Sequence, residues 1–299
     1  MLVWAPTVNL KKFRSLKVFM DIATADKPLA SSGKQYHINA GPGDLPRYVL
    51  LPGDPDRCVT IAEDSWDGPY EIVSTKRGNK IIRGKCRGVD ISACATGMGT
   101  PSTAIILSEL MEIGCDGFIR VGTCGSYRPE IHAGDLVVMK GAIRDYDGVT
   151  YLYAPPDFKA VADKKIVDAL ISSCEKHGLS LGKNFHVGNA CSTTDYYIGQ
   201  GRPWGDKSSI TDHMISQMEK RFKEVTENTD TSIFEMEASA VFTLASLRGV
   251  RAGGICLVVA DRCRNEFLST EEIHEGERIM GRVACGAVKL LYNHDLGYK

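Results

Sequence analysis

Thr96-Gly97-Met98-Gly99-Thr100-Pro101-Ser102-Thr103-Ala104-Ile105-Ile106-Leu107-Ser108-Glu109-Leu110 is the stretch whose reading decides the fold. An apolar run from Val89 to Ala95 leads into two glycines one residue apart. Pro101 and Ser102 then open a segment with apolar residues at Ile105, Ile106, Leu107, Leu110 and Ile113. That is strand, glycine turn, helix start, helix. A helix N-terminus fed by a glycine turn offers unpaired N–H groups and the positive end of a dipole to an anion. A plain strand-to-helix turn is the alternative, and other junctions along the chain weigh between them.

Upstream, Tyr48 to Leu51 reads as a short buried strand running into Pro52-Gly53-Asp54-Pro55-Asp56-Arg57. Asp54 suits an N-cap and Pro55 a first helical position. Gly53 lets backbone approach a ligand. Arg57 is either solvated or a phosphate clamp at a helix start. Two or three strands follow, over 70–76, 79–86 and 89–95, with turns at Arg77-Gly78-Asn79 and Arg87-Gly88. Arg83 inside the second of them reads as a surface salt bridge or as a group projecting into a site.

Downstream, Phe118 to Val121 is expected to be a central strand. Arg120 interrupts it, and a buried charge is expensive unless paired or functional. Gly122, Thr123 and Gly125 follow at once as the tight end of that strand. Ligands of open α/β sheets bind outside the carboxyl ends of strands, so Arg120 and Thr123 form a candidate oxyanion site, with a structural salt bridge as the alternative. The loop Thr194 to Trp204 brings together Tyr196, Tyr197, Gln200 and Arg202, groups able to stack on and hydrogen-bond a flat heterocycle. Ile233-Phe234-Glu235-Met236-Glu237-Ala238 sets two carboxylates two residues apart at a strand-to-helix switch, aimed the same way if extended. Such paired acceptors suit a polyhydroxylated sugar or a base edge. Helices are expected over 157–177, 209–227, 238–248 and 270–294, the last starting near Thr270. Strands are expected at 134–139, 185–188 and 252–260. Alternating strands and helices give a single α/β domain, a mixed twisted sheet surrounded by helices.

The 299 residues are 43% hydrophobic and 24% charged with a net charge of −1, which gives nucleic-acid binding no electrostatic support. No apolar run approaches the roughly 20 residues of a membrane helix. Ten cysteines occur singly with no Cys-x-x-Cys, so a reducing, cytoplasmic setting without disulfides or a zinc site is expected. Residues 1–34 read as an N-terminal extension. Within it, basic residues between Leu10 and Val18 raise a targeting helix as an alternative to an ordinary extension.

From about residue 35 to the C-terminus the chain resembles the nucleoside phosphorylase family of the type I fold, most closely its uridine-cleaving members. The resemblance rests on Thr96–Leu110, Leu51–Arg57, Arg120–Thr123 and Glu235–Glu237 in the same order and rough spacing. It implies a partly barrel-like sheet and reversible phosphorolysis of a nucleoside, with inorganic phosphate as co-substrate and no metal or organic cofactor. It implies phosphate binding by Gly53, Arg57, Arg120 and Thr123, with Arg83 serving a neighbouring subunit. It implies ribose binding by Met236, Glu237 and, across a dimer interface, His37. The base falls to Tyr196, Gln200, Arg202, Glu235 and Arg262. A homo-oligomer follows, a dimer at least, with a hexamer left open. A purine enzyme using Asp261, a non-catalytic nucleoside-binding protein and a nucleosidase of the same fold stand as rivals.

Overall fold

The glycine-bearing junctions at Gly53 and at Gly97 and Gly99 are places where a buried strand hands over to a helix. β1 (Tyr48–Leu51) is buried throughout. It runs into α1 (Pro55–Ser65), where the Asp54 carboxylate accepts the amide N–H of Asp56. β2 (Glu71–Ser74), β3 (Ile81–Cys86) and β4 (Val89–Cys94) form an antiparallel meander. Arg87 and Gly88 both take positive φ at its second corner, as a two-residue hairpin turn requires. β4 reaches α2 (Gly99–Glu112) through Gly97 and Gly99, at φ 70° and 83°, a conformation that glycine adopts without penalty.

The computed structural model of the chain describes residues 23–144, 148–206, 209–227 and 231–297, so the stretch from Leu10 to Val18 lies outside the described residues. β5 (Gly117–Ser126) and β6 (Leu136–Arg144) follow, then α3 (Thr150–Tyr153), β7 (Ala160–Val161) and α4 (Lys164–Lys176). β8 (Phe185–Ser192), α5 (Asp212–Glu227), β9 (Thr231–Glu235), α6 (Ala238–Arg248), β10 (Arg251–Asp261), β11 (Glu266–Phe267) and α7 (Thr270–Asp295) complete the order.

The strands join in the order β11-β10-β6-β8-β9-β5-β1-β4-β3-β2, with β7 beside β6. β10 also pairs with β5, in parallel from Arg251 opposite Gly117 to Asp261 opposite Ser126. That pairing closes β5, β9, β8, β6 and β10 into a ring. The sheet is therefore mixed and partly barrel-like. Apolar cores lie on both of its faces. Phe118, Val137 and Phe242 belong to one; Ile119, Val138 and Val283, the last on α7, belong to the other.

Two expectations are corrected. The helix expected over 157–177 begins only at Lys164, where Asp163 accepts the N–H groups of Lys165 and Ile166. Phe158 and Val161 extend its periodicity by chance. Phe158 lies under the Arg144 guanidinium, and Val161 is on β7. The strand through Arg120 continues to Ser126, because β10 pairs with it along its whole length. The last helix starts at Thr270 as expected, capped by Ser269 in a reciprocal box with Glu272. At the boundary drawn at residue 34, Leu29 is buried and bridges to Gln35.

Candidate active site

β1, β4, β5 and β10 run parallel, and a cavity of about 500 Å³ opens where their carboxyl ends meet β9. Residues from every junction read in the sequence line it: Gly53 and Arg57, Gly97 and Met98, Arg120 and Thr123, Gln200 and Arg202, Met236 and Glu237.

Arg120 is the best-anchored charge in the cavity wall. Its side chain is 4% exposed. Nε donates to Glu235 at 2.8 Å, and Nη2 reaches Glu237 at 2.5 Å. Burial alone would lower its pKa, but the carboxylates of Glu237 and Glu235 reverse that and raise it. The guanidinium lies over Gly122; a Cβ at that position would stand 2.7 Å from Nη2. The salt bridge posed as an alternative in the sequence is present, and it does not take Arg120 out of the cavity wall.

Glu235 and Glu237 do aim the same way, at Arg120, but they differ. Glu235 is fully used. It accepts from Arg120, from the Ser192 hydroxyl and from the backbone N–H groups of Glu237 and Ala238, where α6 begins. It lines the cavity and at the same time holds Arg120 and the start of α6. Glu237 accepts from Arg120 and from the Gly99 N–H at 2.5 Å. The anion expected at the α2 N-terminus is therefore, at Gly99, the protein's own carboxylate. Burial raises the Glu237 pKa in spite of Arg120.

Arg57 is also buried. Nε donates to Glu277 of α7 at 2.7 Å, and Nη1 lies 3.4 Å from the carbonyl oxygen of Val121, next to Arg120. The far end of the cavity is the loop after β8. Gln200, 3% exposed, donates through Nε2 to Thr193 Oγ1 at 2.9 Å and accepts from Arg202. The Arg202 guanidinium stacks 4.0 Å above the Tyr196 ring centroid, so that face of Tyr196 is covered by the arginine. Burial lowers the Arg202 pKa. Arg262 sits behind the loop, donating to the carbonyls of Gln200 and Gly201. It thereby supports the backbone of the loop that carries Gln200 into the cavity.

His37 and Arg83 do not join this cavity. His37 donates from Nδ1 and from its backbone N–H to Glu109, which also takes the Ile38 N–H. Arg83 pairs with Glu71 at 2.8 Å and donates to the Asp44 carbonyl. Asp261 is buried and held by Arg264 at 2.7 Å and by the amides of Cys263 and Arg264. Burial opposes its charge, but the Arg264 hydrogen bond and the amides lower its pKa, so it stays a carboxylate.

Sequence reading passed over Glu277, Ser192 and Glu109, the groups that hold Arg57, Glu235 and His37. It also passed over Cys124, Phe234 and Val259, which form an apolar wall of the cavity. The only local signal for these was strand alternation, which marks a facing side and not what it faces.

The Phosphorylase superfamily profile matches residues 47–291. A uridine phosphorylase of Thermococcus kodakarensis is 42% identical over 274 residues, 91% of this chain and 92% of its own length. A uridine phosphorylase of Treponema pallidum is 35% identical over 270 residues, 90% and 98% of the two chains. A guanosine phosphorylase of Halorubrum lacusprofundi is 32% identical over 228 residues, 75% and 83% of the two.

Proposed function

The chain belongs to the phosphorylase superfamily, and on that premise we propose that it cleaves uridine reversibly with inorganic phosphate, giving uracil and ribose 1-phosphate. The observation that carries this reading is the cavity itself. Two buried guanidiniums, each with Nε held by a carboxylate, meet at one end, and Gln200 with Arg202 closes the other.

Chemistry follows from that polarity. Phosphate lies against Arg57, Arg120 and Thr123, with one oxygen directed at the anomeric carbon. Met236 and Glu237 hold the ribose, Glu237 accepting from its hydroxyls. The bond from C1′ to N1 breaks as a phosphate oxygen closes on C1′, and the bond's electron pair leaves with uracil. That charge spreads to the uracil carbonyls. Arg202 and the Gln200 amide stabilise it more in the transition state than in the bound substrate. The ribose passes through an oxocarbenium-like state with the phosphate dianion beside it. The reaction needs neither a covalent enzyme intermediate nor a metal or organic cofactor.

A homodimer is the smallest active unit in this reading, because His37 and Arg83 lie off their own cavity and can serve one only from another copy. A cytoplasmic enzyme fits the ten cysteines without a Cys-x-x-Cys pair. The purine alternative is disfavoured by Asp261, whose carboxylate is engaged by Arg264 and does not line the cavity. A non-catalytic binder has no need of two anchored arginines.

Uracil release, measured with uridine, thymidine, inosine and adenosine, with and without phosphate, tests the reading. Uridine is expected to be cleaved only with phosphate present. Equal rates without it refute phosphorolysis, and inosine as the better substrate refutes the pyrimidine assignment. For the dimer, mixing inactive His37→Ala with inactive Arg120→Ala protein is expected to restore activity through mixed sites. No recovery refutes the shared site.

A further inference from the structure

Two of the arginines that line the cavity, Arg57 and Arg120, are anchored alike but from different places. Arg120 has its Nε on Glu235, which the strand-to-helix switch supplies nearby in the same wall. Arg57 has its Nε on Glu277, a residue of α7 that is 4% exposed and does not itself line the cavity. A guanidinium is a planar fork of five donors. Holding Nε fixes the plane and leaves the two terminal nitrogens as the free end. In Arg57 one of these, Nη1, already points toward Val121 beside Arg120. The second Glu277 oxygen faces His274 Nδ1 at 3.6 Å, one turn earlier on α7, at the surface.

We propose that Glu277 is a positioning residue for the phosphate site: by holding Nε it aims the terminal nitrogens of Arg57 at the anion. This rests on the phosphorolysis reading for its role in turnover, but not for its role in anion binding. α7 is thereby part of the binding apparatus as well as a cover for the sheet.

The test uses the full-length protein and inorganic phosphate, with binding followed by calorimetry and turnover by uracil release. Glu277→Ala is expected to weaken phosphate binding by about tenfold or more, the effect of losing a charged hydrogen bond. The KM for uridine at saturating phosphate is expected to change by less than about threefold, since that interaction is not touched. Glu277→Gln keeps an oxygen opposite Nε and is expected to recover most of the binding. The double variant Arg57→Ala/Glu277→Ala is expected to bind phosphate no more weakly than Arg57→Ala, because Glu277 acts only through Arg57. Unchanged phosphate binding in Glu277→Ala, or additive losses in the double variant, overturns the proposal. If Glu277→Ala does not fold, Glu277→Asp, which withdraws the carboxylate by one methylene, carries the same expectation and the same refutation. Should wild-type protein bind phosphate with this mutational pattern yet leave uridine intact, the positioning stands and the uridine reading fails.

Discussion

Replacing Gly122 by alanine tests whether Arg120 acts from the place described. Both residues project on one face of β5, and the guanidinium lies over the glycine. A Cβ at residue 122 would stand 2.7 Å from Nη2, 2.8 Å from Cζ and 3.2 Å from Nε. The two shortest are roughly 0.7–0.8 Å inside the ~3.5 Å of a good non-bonded contact. β5 cannot back away, because Gly122 pairs with Cys256 of β10 and Arg120 with Leu51 of β1. The guanidinium must move, and both its anchors, at 2.8 Å to Glu235 and 2.5 Å to Glu237, are strained or lost. Overpacking alone costs about 1–3 kcal/mol, and a buried charged hydrogen bond contributes about 1.5–3 kcal/mol. A partial shift therefore predicts a loss of about 2–4 kcal/mol in stability. For catalysis, misplacing one oxyanion donor costs about 2.7–4 kcal/mol, or about 10²–10³ in rate. The assay is uracil release against phosphate concentration, with thermal unfolding alongside. A folded Gly122→Ala enzyme that keeps more than about a third of wild-type kcat/KM for phosphate refutes this reasoning, since about tenfold per 1.4 kcal/mol leaves no room for such retention.

Gln200→Leu is expected to abolish uridine turnover while leaving the unfolding temperature within a few degrees, since among the described residues its side chain hydrogen-bonds Thr193 and Arg202 alone; retained turnover would mean that the base is read elsewhere. Asp295 gives a pH prediction. Hydrogen bonds from Arg251 and Tyr48 outweigh burial and bring its pKa down from 3.8 to about 2. A lowered carboxylate contributes stability that is present above pH 3.8 and is lost as pH falls through about 2. Undiscounted, that is about 2.4 kcal/mol, and solvent screening at this part-exposed site reduces it to about 1 kcal/mol. Asp295→Asn is expected to show a shallower loss of stability than wild type between these limits in denaturant titrations; parallel curves would refute the assignment.

Much of the fold was legible because the signals that fix it are local. Asp54 and Pro55 cap and open α1 within one turn, and Gly97 and Gly99 supply backbone angles at the positions that need them. Most of the cavity was legible for the same reason: strand ends followed by glycine carry its wall. What failed was pairing over distance. Nothing around Glu277 distinguishes it from Glu271, Glu272 or Glu275 on the same helix; only the packing of α7 against α1 selects it. Glu235 read as a free acceptor because its spacing to Glu237 is visible while Ser192 and Arg120, its partners, are far along the chain. Phe158 and Val161 fitted a helical stripe because period alone cannot say where a cap interrupts it.

Ring closure by β10 also sets when the site can exist during synthesis. β5, with Arg120, leaves the ribosome long before the strand that completes its pairing, and the partners of its guanidinium come 115 residues later. The carboxylate that holds Arg57 is later still, at a separation of 220 residues. Until then two cationic side chains sit in a half-built sheet whose exposed edge invites wrong partners. Such long-range pairing makes folding slow. The nascent chain passes through a stage that is sticky and inert, and turnover begins only after nearly the whole polypeptide has emerged.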